Sequence, residues 1–358
     1  MPTITVKTAT ASYPVVVEQN CLQQQKKTIE GLLANYSHVL VITDQHVSIL
    51  YKEVCDWLQN SSNSVLPFVT PNGESAKTFA IYEAAMTHMI SHNLDRKSVI
   101  VALGGGAVGD LAGFVAASYM RGIDFIQLPT TVLAHDSAVG GKTAINHPLA
   151  KNIVGAFHQP QAVYYDTSLL ASLPERQMRS GFAELIKHGL IADATLLAEV
   201  MANYQNCASL YARDMTPFLT KGIQIKADIV AEDEREQGIR AYLNFGHTFG
   251  HAVEAAGDFK HWFHGEAIMI GMKFALLLSQ QLTGLQFDVT RWQHWAEKLG
   301  YDFSLPPTLT FEQLYDKMMH DKKTTYQAIH FVLLNAVGQP ISQVVTKTQL
   351  AEAFEAMH

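Results

Sequence analysis

Hydrophobic and polar positions follow two different rhythms along this chain, and the change between them marks its organisation. Residues 3–6 and 13–17 alternate with a period of two, the pattern of a short β-hairpin. The period then lengthens to that of a helix over 22–33 and collapses to a buried strand at 38–43 (HVLVIT). The cycle repeats as helix 47–59, strand 65–69, helix 78–92 and strand 98–103, which runs into Gly104-Gly105-Gly106. A strand that is apolar on both sides has no face to offer water, so this alternation predicts a parallel sheet with helices on both faces. The first half is expected to be an α/β, doubly wound, Rossmann-like domain. Beyond Asp166 the texture is helical: 173–190, 194–204, 211–236, 246–256, 265–282, 289–299 and 311–319. Only 329–334 and 341–345 look like strands, forming one small ribbon. The expected domains are therefore 1–170, α/β, and 171–358, mostly α-helical, with the boundary between Asp166 and Pro174.

Composition narrows the function classes. The chain has 358 residues, enough for two ordinary domains, with 48% apolar and 16% charged positions. A net charge of -7 gives no electrostatic reason to expect nucleic acid or an anionic membrane. Any anionic ligand must be met by a few placed cations. Cys21, Cys55 and Cys207 are far apart and odd in number, which argues against a disulfide framework or thiolate metal site and suits a reducing compartment. No apolar run is long enough to span a bilayer, and the first residues alternate like a strand instead of resembling a signal core. The expected location is cytoplasmic.

Candidate chemistry concentrates in NFGHTFGHAVEAAGDFKHWFHGE, residues 244–266. His247 and His251 are four apart, on one face of a helix, and His261 and His264 follow a turn at Gly257-Asp258. Such a pair also serves as core or surface. The second pair close by, and a carboxylate at Glu184 in GFAELIKHG, favour a divalent metal site, because imidazole and carboxylate suit a borderline-soft ion.

Gly104 to Asp110 (GGGAVGD) fits G-x-G-x-x-G after a strand and before a helix, which lets backbone N–H groups reach a pyrophosphate. The same loop could serve packing alone, and it lies in a later βα unit than the usual dinucleotide fingerprint. Asp44, at the end of the 38–43 strand, is a plausible ribose or adenine acceptor. Val139-Gly140-Gly141-Lys142-Thr143 resembles the end of a P-loop, but Asp136 stands where the upstream glycine is required, so that reading fails. What remains is Lys142, Asn146, Lys151 and Asn152, cations and directional donors for a small anion or a solvated loop. Lys226, Arg240 and Asn244 lead into the histidine stretch, and a guanidinium grips a carboxylate through two hydrogen bonds. The intervening acidic run 232–236 is expected to be a solvated helix end.

These motifs together resemble the 3-dehydroquinate synthases of the shikimate pathway. The matching stretches are NGESAK (72–77), GGGAVGDLAGFVAASYMRG (104–122), LPTT (128–131), HDSAVGGKTAINHPLAKNIVGAF (135–157), GFAELIKHG (181–189), LNFGHTFGHAVE (243–254), HGEAI (264–268) and DKK (321–323). The resemblance implies a homodimer, an amino-terminal NAD-binding domain and a helical domain supplying most of the metal site. It makes Glu184, His247 and His264 the metal ligands, for zinc most often, and turns His251 into a substrate-site histidine; two nitrogens and a carboxylate oxygen also suit cobalt as a replacement. It places NAD contacts on Asp44, Asn72, Gly73, Glu74, Ser75, Ala76, Lys77, Gly106, Ala107, Val108, Gly109, Asp110, Thr130, Thr131, Lys142, Lys151, Leu169, Leu170, Ala171 and Ser172. Substrate contacts fall on Asp136, Lys142, Asn152, Lys187, Lys226, Arg240, Asn244 and His251, with Arg121 and one of Lys322 and Lys323 reaching a phosphate. The segment 324–328 (TTYQA) departs from the glycine-containing turn expected there.

The activity so implied is conversion of 3-deoxy-D-arabino-heptulosonate 7-phosphate to 3-dehydroquinate and phosphate. It proceeds by oxidation at carbon 5, phosphate elimination, reduction and an intramolecular aldol closure. Another sugar-phosphate cyclase, a metal-dependent polyol dehydrogenase and a non-catalytic sensor of NAD or sugar phosphate are the alternatives. A dehydrogenase has no need of a combined phosphate and carboxylate set, and degenerate metal ligands would mark a sensor.

Overall fold

The computed structural model describes residues 3–62, 64–258, 261–319 and 329–357. Two compact units emerge, Met1–Leu173 with Lys226–Arg235, and Pro174–Ile225 with Glu236–His358. The first unit thus takes up a short stretch from within the range 171–358.

Among the described residues of the first unit nine strands form: β1 (Thr3–Lys7), β2 (Ser12–Glu18), β3 (Val39–Asp44), β4 (Val65–Thr70), β5 (Val99–Gly104), β6 (Asp124–Pro129), β7 (Lys142–His147), β8 (Ala150–Phe157) and β9 (Ala162–Asp166). Seven of them make one sheet in the order β1-β2-β9-β6-β5-β3-β4, parallel except for the β1–β2 hairpin at one edge. Every residue of β3 and β5 is buried. Successive side chains point to opposite faces, so Leu40, Ile42, Ile100 and Ala102 pack with the helices Phe79–Ser91 and Gly106–Ser118. Val39, Val41, Val99 and Val101 pack on the other face with Ile29, Leu33, Val47 and Leu58. This is the doubly wound α/β arrangement expected from the sequence.

Strands β3 and β5 are neighbours, with Thr43 beside Leu103, yet the chain leaves β3 toward β4 and leaves β5 toward β6. Their carboxyl ends therefore flank a topological switch point, where open α/β sheets bind ligands. Asp44 and Gly104 end these adjacent strands, so the glycine loop opens at the switch point although it lies in a later βα unit.

Several boundaries differ from the periodicity. Helix 22–33 is two helices, Cys21–Gln24 and Lys26–Leu33, separated at Gln25 (φ -91°, ψ 5°). Helix 47–59 starts earlier, at Gln45, because Asp44 caps it by accepting from Val47 N at 2.8 Å, and it breaks at Tyr51. The stretch 142–157 is no solvated loop but an antiparallel ribbon of β7 and β8. Helix 211–236 is a short turn Ser209–Ala212 followed by Thr216–Glu232. The acidic run after it is not simply solvated: Glu234 is buried and accepts from Thr10 Oγ1 at 2.5 Å and Gln159 Nε2 at 2.9 Å.

In the second unit the helices Glu175–Ala192, His247–Ala256 and His264–Thr283 pack with a ribbon of β10 (Ile329–Ala336) and β11 (Gln339–Val345). Phe249 stacks on Phe274 at 4.0 Å, within a core that includes Val253, Ile270, Phe331 and Leu350. The helices carrying His247 and His264 cross very closely. A Cβ on Gly271 would stand 1.9 Å from the carbonyl oxygen of Gly246, which itself has φ 79°. Among the described residues no helix is long and apolar enough to cross a membrane.

Candidate active site

The helix Glu175–Ala192 presents Glu184, and the two crossing helices present His247 and His264. One ligand atom from each lies within 4.8 Å of the others. Glu184 Oε1 is 3.4 Å from His247 Nε2 and 3.2 Å from His264 Nε2. His247 Nδ1 lies 3.1 Å from the carbonyl oxygen of Phe245, which can only accept, so Nδ1 carries the proton and Nε2 keeps its lone pair toward Glu184. Two imidazole nitrogens and one carboxylate oxygen are a donor set suited to zinc or cobalt.

Charge in this cluster is balanced locally. Glu184 and Lys187 are each 1% exposed, and the Lys187 ammonium contacts Glu184 Oε2. Burial works against the Glu184 charge, but Lys187 and then His247 hold the carboxyl well below its ordinary range. Burial drives His247 down to about 3. Burial also opposes charge on His264, yet the carboxylates of Glu254 and Glu184 push it up to about 10. His251 sits at the edge of the cluster, its ring 5.3 Å from that of His247 and 6.0 Å from that of His264. His261 stands apart, exposed and packed edge-on against Trp262.

The start of the His264 helix is clamped. Glu266 accepts from Phe263 N at 2.9 Å and from Arg176 Nε at 2.8 Å, while Arg176 also donates to His261 O at 3.0 Å. Nearby, Arg240 is 1% exposed in the turn Ile239–Asn244, and Asn244 Nδ2 donates to Glu236 Oε1 at 2.6 Å.

In the first unit, Lys77 is 2% exposed and its ammonium donates to Asp110 Oδ2 at 2.6 Å and Asn152 Oδ1 at 2.5 Å. Burial opposes its charge, but Asp110 and Glu74 raise its pKa. Asn146 donates to Glu74 Oε2 at 2.6 Å, and its backbone N–H donates to Lys77 O at 2.7 Å. The 72–77 segment is thereby tied to the glycine-loop helix and to the β7–β8 ribbon. Lys226 donates to Asp136 Oδ2 at 3.0 Å, bringing together two residues distant in sequence. Lys142 is exposed and Lys151 half-buried on the ribbon, and Asn152 adopts φ 55°. Arg121 is exposed with φ 69°, next to Met120 at φ 47°. Such left-handed backbone is uncommon outside glycine, and it falls on two residues named for substrate contact.

Among the described residues no side chain caps the helix Gly106–Ser118, and the first bond back to Gly105 O comes from Gly109 N. The N–H groups of Gly106, Ala107 and Val108 therefore precede the helical ladder. Packing also calls for the glycines: a Cβ on Gly105 would meet Thr131 at 2.8 Å and one on Gly109 would meet Gln127 at 2.7 Å. Thr130 is buried beside this loop, its N–H bonded to Gly104 O. Val108 and Leu170 lie in the buried core, so they can meet a ligand only through their backbone. Gly73, Ser75, Ala171 and Ser172 are exposed, Ala76 is buried and Ala107 half-buried, while Asn72 accepts from His46 N and Leu169 O accepts from Tyr51. Lys322, Lys323 and the 324–328 segment lie outside the described residues.

Residues 67–180 match the family model for the amino-terminal part of 3-dehydroquinate synthase, and 181–324 that for its carboxy-terminal part. The chain belongs to the 3-dehydroquinate synthase family. It is 55% identical over 341 residues to a 3-dehydroquinate synthase of Listeria innocua, covering 95% of this chain and 93% of that protein. Among solved structures it is similar to a 2-deoxy-scyllo-inosose synthase complexed with carbaglucose-6-phosphate, NAD+ and Co2+. That likeness has a TM-score of 0.88 and 26% identity, over 99% of both chains. It is also similar to a 2-epi-5-epi-valiolone synthase of Streptomyces hygroscopicus with NAD+ and Zn2+, with a TM-score of 0.86 and 25% identity over 97% of both chains. The sequence did not single out Glu254, which is buried with its carboxylate 3.1 Å from His264 Nδ1; its spacing of seven from His247 on the same helix was the available signal.

Proposed function

We propose that the protein converts 3-deoxy-D-arabino-heptulosonate 7-phosphate to 3-dehydroquinate and phosphate, using NAD and one divalent ion, zinc or cobalt, as a cytoplasmic homodimer. The observation that carries this reading is the convergence of Glu184, His247 and His264, with the His247 tautomer set for ligation. The donor set fits a divalent ion, and the uncapped start of the helix Gly106–Ser118 beside the β3/β5 switch point fits a dinucleotide pyrophosphate. The three cysteines, free of disulfides, support a reducing compartment.

When bound, NAD supplies hydride acceptance and return, and the ion supplies Lewis acidity at the oxidised carbon. This chain's residues would do the rest. Glu184, His247 and His264 hold the ion, while Lys187 balances the Glu184 charge. Arg240, buried and always charged, grips the substrate carboxylate, assisted by Asn244 and Lys226. Lys142, Asn152 and Arg121 hold the phosphate, with one of Lys322 and Lys323. Lys77, engaged with Asp110 and Asn152, orients both of them. Asp136 holds Lys226 in place, and His251 serves the substrate hydroxyls and their protons. Asp44, the 72–77 segment, Thr130, Thr131, Lys151 and the 169–172 turn line the NAD site.

Substrate and product are at the same oxidation level once phosphate has left, so the hydride taken at carbon 5 must return there. Purified protein should release phosphate from the heptulosonate with only catalytic NAD and no net rise in absorbance at 340 nm. Chelation should stop turnover, and zinc or cobalt should restore it. Stoichiometric NADH accumulation without phosphate release would identify a polyol dehydrogenase instead. Full activity in protein shown by elemental analysis to be metal-free would remove the ion from the scheme.

A further inference from the structure

We propose that Glu254 is a positioning residue for His264, holding that ring so that Nε2 faces Glu184 and so setting how tightly the divalent ion binds. The inference rests on the reading of Glu184, His247 and His264 as the metal ligands. His247, His251 and Glu254 are spaced by four and then three residues on the helix His247–Ala256, so all three project from one face. Glu254 is 5% exposed, an unusual place for a carboxylate unless it is engaged. It meets His264 at Nδ1, 3.1 Å away, while the opposite ring nitrogen is 3.2 Å from Glu184 Oε1. A carboxylate on one imidazole nitrogen fixes the tautomer, orients the ring and strengthens the other nitrogen as a donor. His264 needs such support more than His247 does, since its side chain is 31% exposed, against 11% for His247.

A competing arrangement exists, because ligand atoms of His251, Glu254 and His264 also lie within 4.8 Å of one another. The two groupings share His264. Its Nδ1 proton, donated to Glu254, would have to be lost for that nitrogen to bind a second cation while Nε2 bound the first. A neutral imidazole has one lone pair to give, so Glu254 acts as the brace of a single ion site.

The test uses the full chain stripped of metal. Zinc affinity is measured by competition with a chromogenic chelator, and the visible absorption of the Co2+ form reports ligand geometry. Glu254→Ala should weaken zinc binding by about 10–100-fold and alter the cobalt spectrum. Glu254→Gln keeps an oxygen that accepts from Nδ1–H and should recover most of the affinity and the spectrum. Wild-type affinity and spectrum in Glu254→Ala would overturn the proposal, even if its Tm fell. If that variant does not fold, Glu254→Asp, with its carboxylate drawn back from Nδ1, should bind zinc more weakly than Glu254→Gln; wild-type affinity in Glu254→Asp would also overturn the proposal. His247→Ala is the control. Should it bind zinc as the wild type does, the metal-site reading itself fails and the proposal falls with it.

Discussion

With 1% of its surface exposed, the Arg240 guanidinium is held away from bulk water, where a charge-assisted pair with a carboxylate is least screened. The heptulosonate carries a carboxylate that uncarboxylated sugar phosphates lack, so the grip proposed for Arg240 would be where a choice between them is made. Removing one partner of a buried pair leaves the other uncompensated, at roughly 3–5 kcal/mol. Arg240→Ala should therefore lower kcat/KM for the heptulosonate by at least about 100-fold. Arg240→Lys, which keeps the charge but loses the two-pronged grip, should fall between. Near-normal kcat/KM in Arg240→Ala would place the carboxylate elsewhere. At this scale the sequence was informative about residue type and blind to pairing. The i, i+4 spacing of His247 and His251 suggested a ligand pair, but three-dimensional convergence joins His247 with Glu184 and His264, which come from other helices.

Two helices have to cross nearly in contact for His247 and His264 to meet, and glycine makes that possible. Placing a Cβ on Gly271 only 1.9 Å from Gly246 O cannot be relieved by rotating a side chain, because the obstacle is backbone. Gly271→Ala should cost about 1–3 kcal/mol of stability by overpacking. It should also weaken zinc binding, since the helices that carry two ligands must separate. Wild-type Tm and zinc affinity together would show that the crossing has slack. The helices themselves were legible from period alone, and most boundaries fell within two residues. The β7–β8 ribbon was not: its apolar residues are mixed with lysine and asparagine without a clean alternation, and pairing across the hairpin is what makes it a ribbon. Likewise β6 (DFIQLP) and β9 (AVYYD) are short runs, the first interrupted by Gln127, that periodicity does not separate from a turn of buried helix.

Chain segments far apart are tied together at Glu234, which accepts from Thr10 and Gln159 within the first unit. Burial raises its pKa, but the hydrogen bonds from Thr10 and Gln159 outweigh burial and the net shift is downward. A carboxyl lowered in the folded state contributes stability that is complete above its unfolded pKa and is lost as pH falls through the folded value. Glu234→Gln should therefore flatten the loss of urea midpoint between about pH 5 and pH 3 relative to the wild type. Identical slopes would mean that this carboxylate does not report on folding. The sequence by itself determined the alternation of strands and helices, the division into an α/β part and a helical part, and the inventory of ligating and cationic residues. These follow from local periodicity and side-chain chemistry, which neighbours in the chain already specify. Only the tertiary structure decided that Asp44 and the glycine loop flank one switch point, that Lys77 joins Asp110 to Asn152, that Glu234 is an anchor and that Glu254 stands behind His264. Each of these depends on strand order or helix crossing, and burial then turns a proximity in space into a strong interaction by removing the water that would screen it.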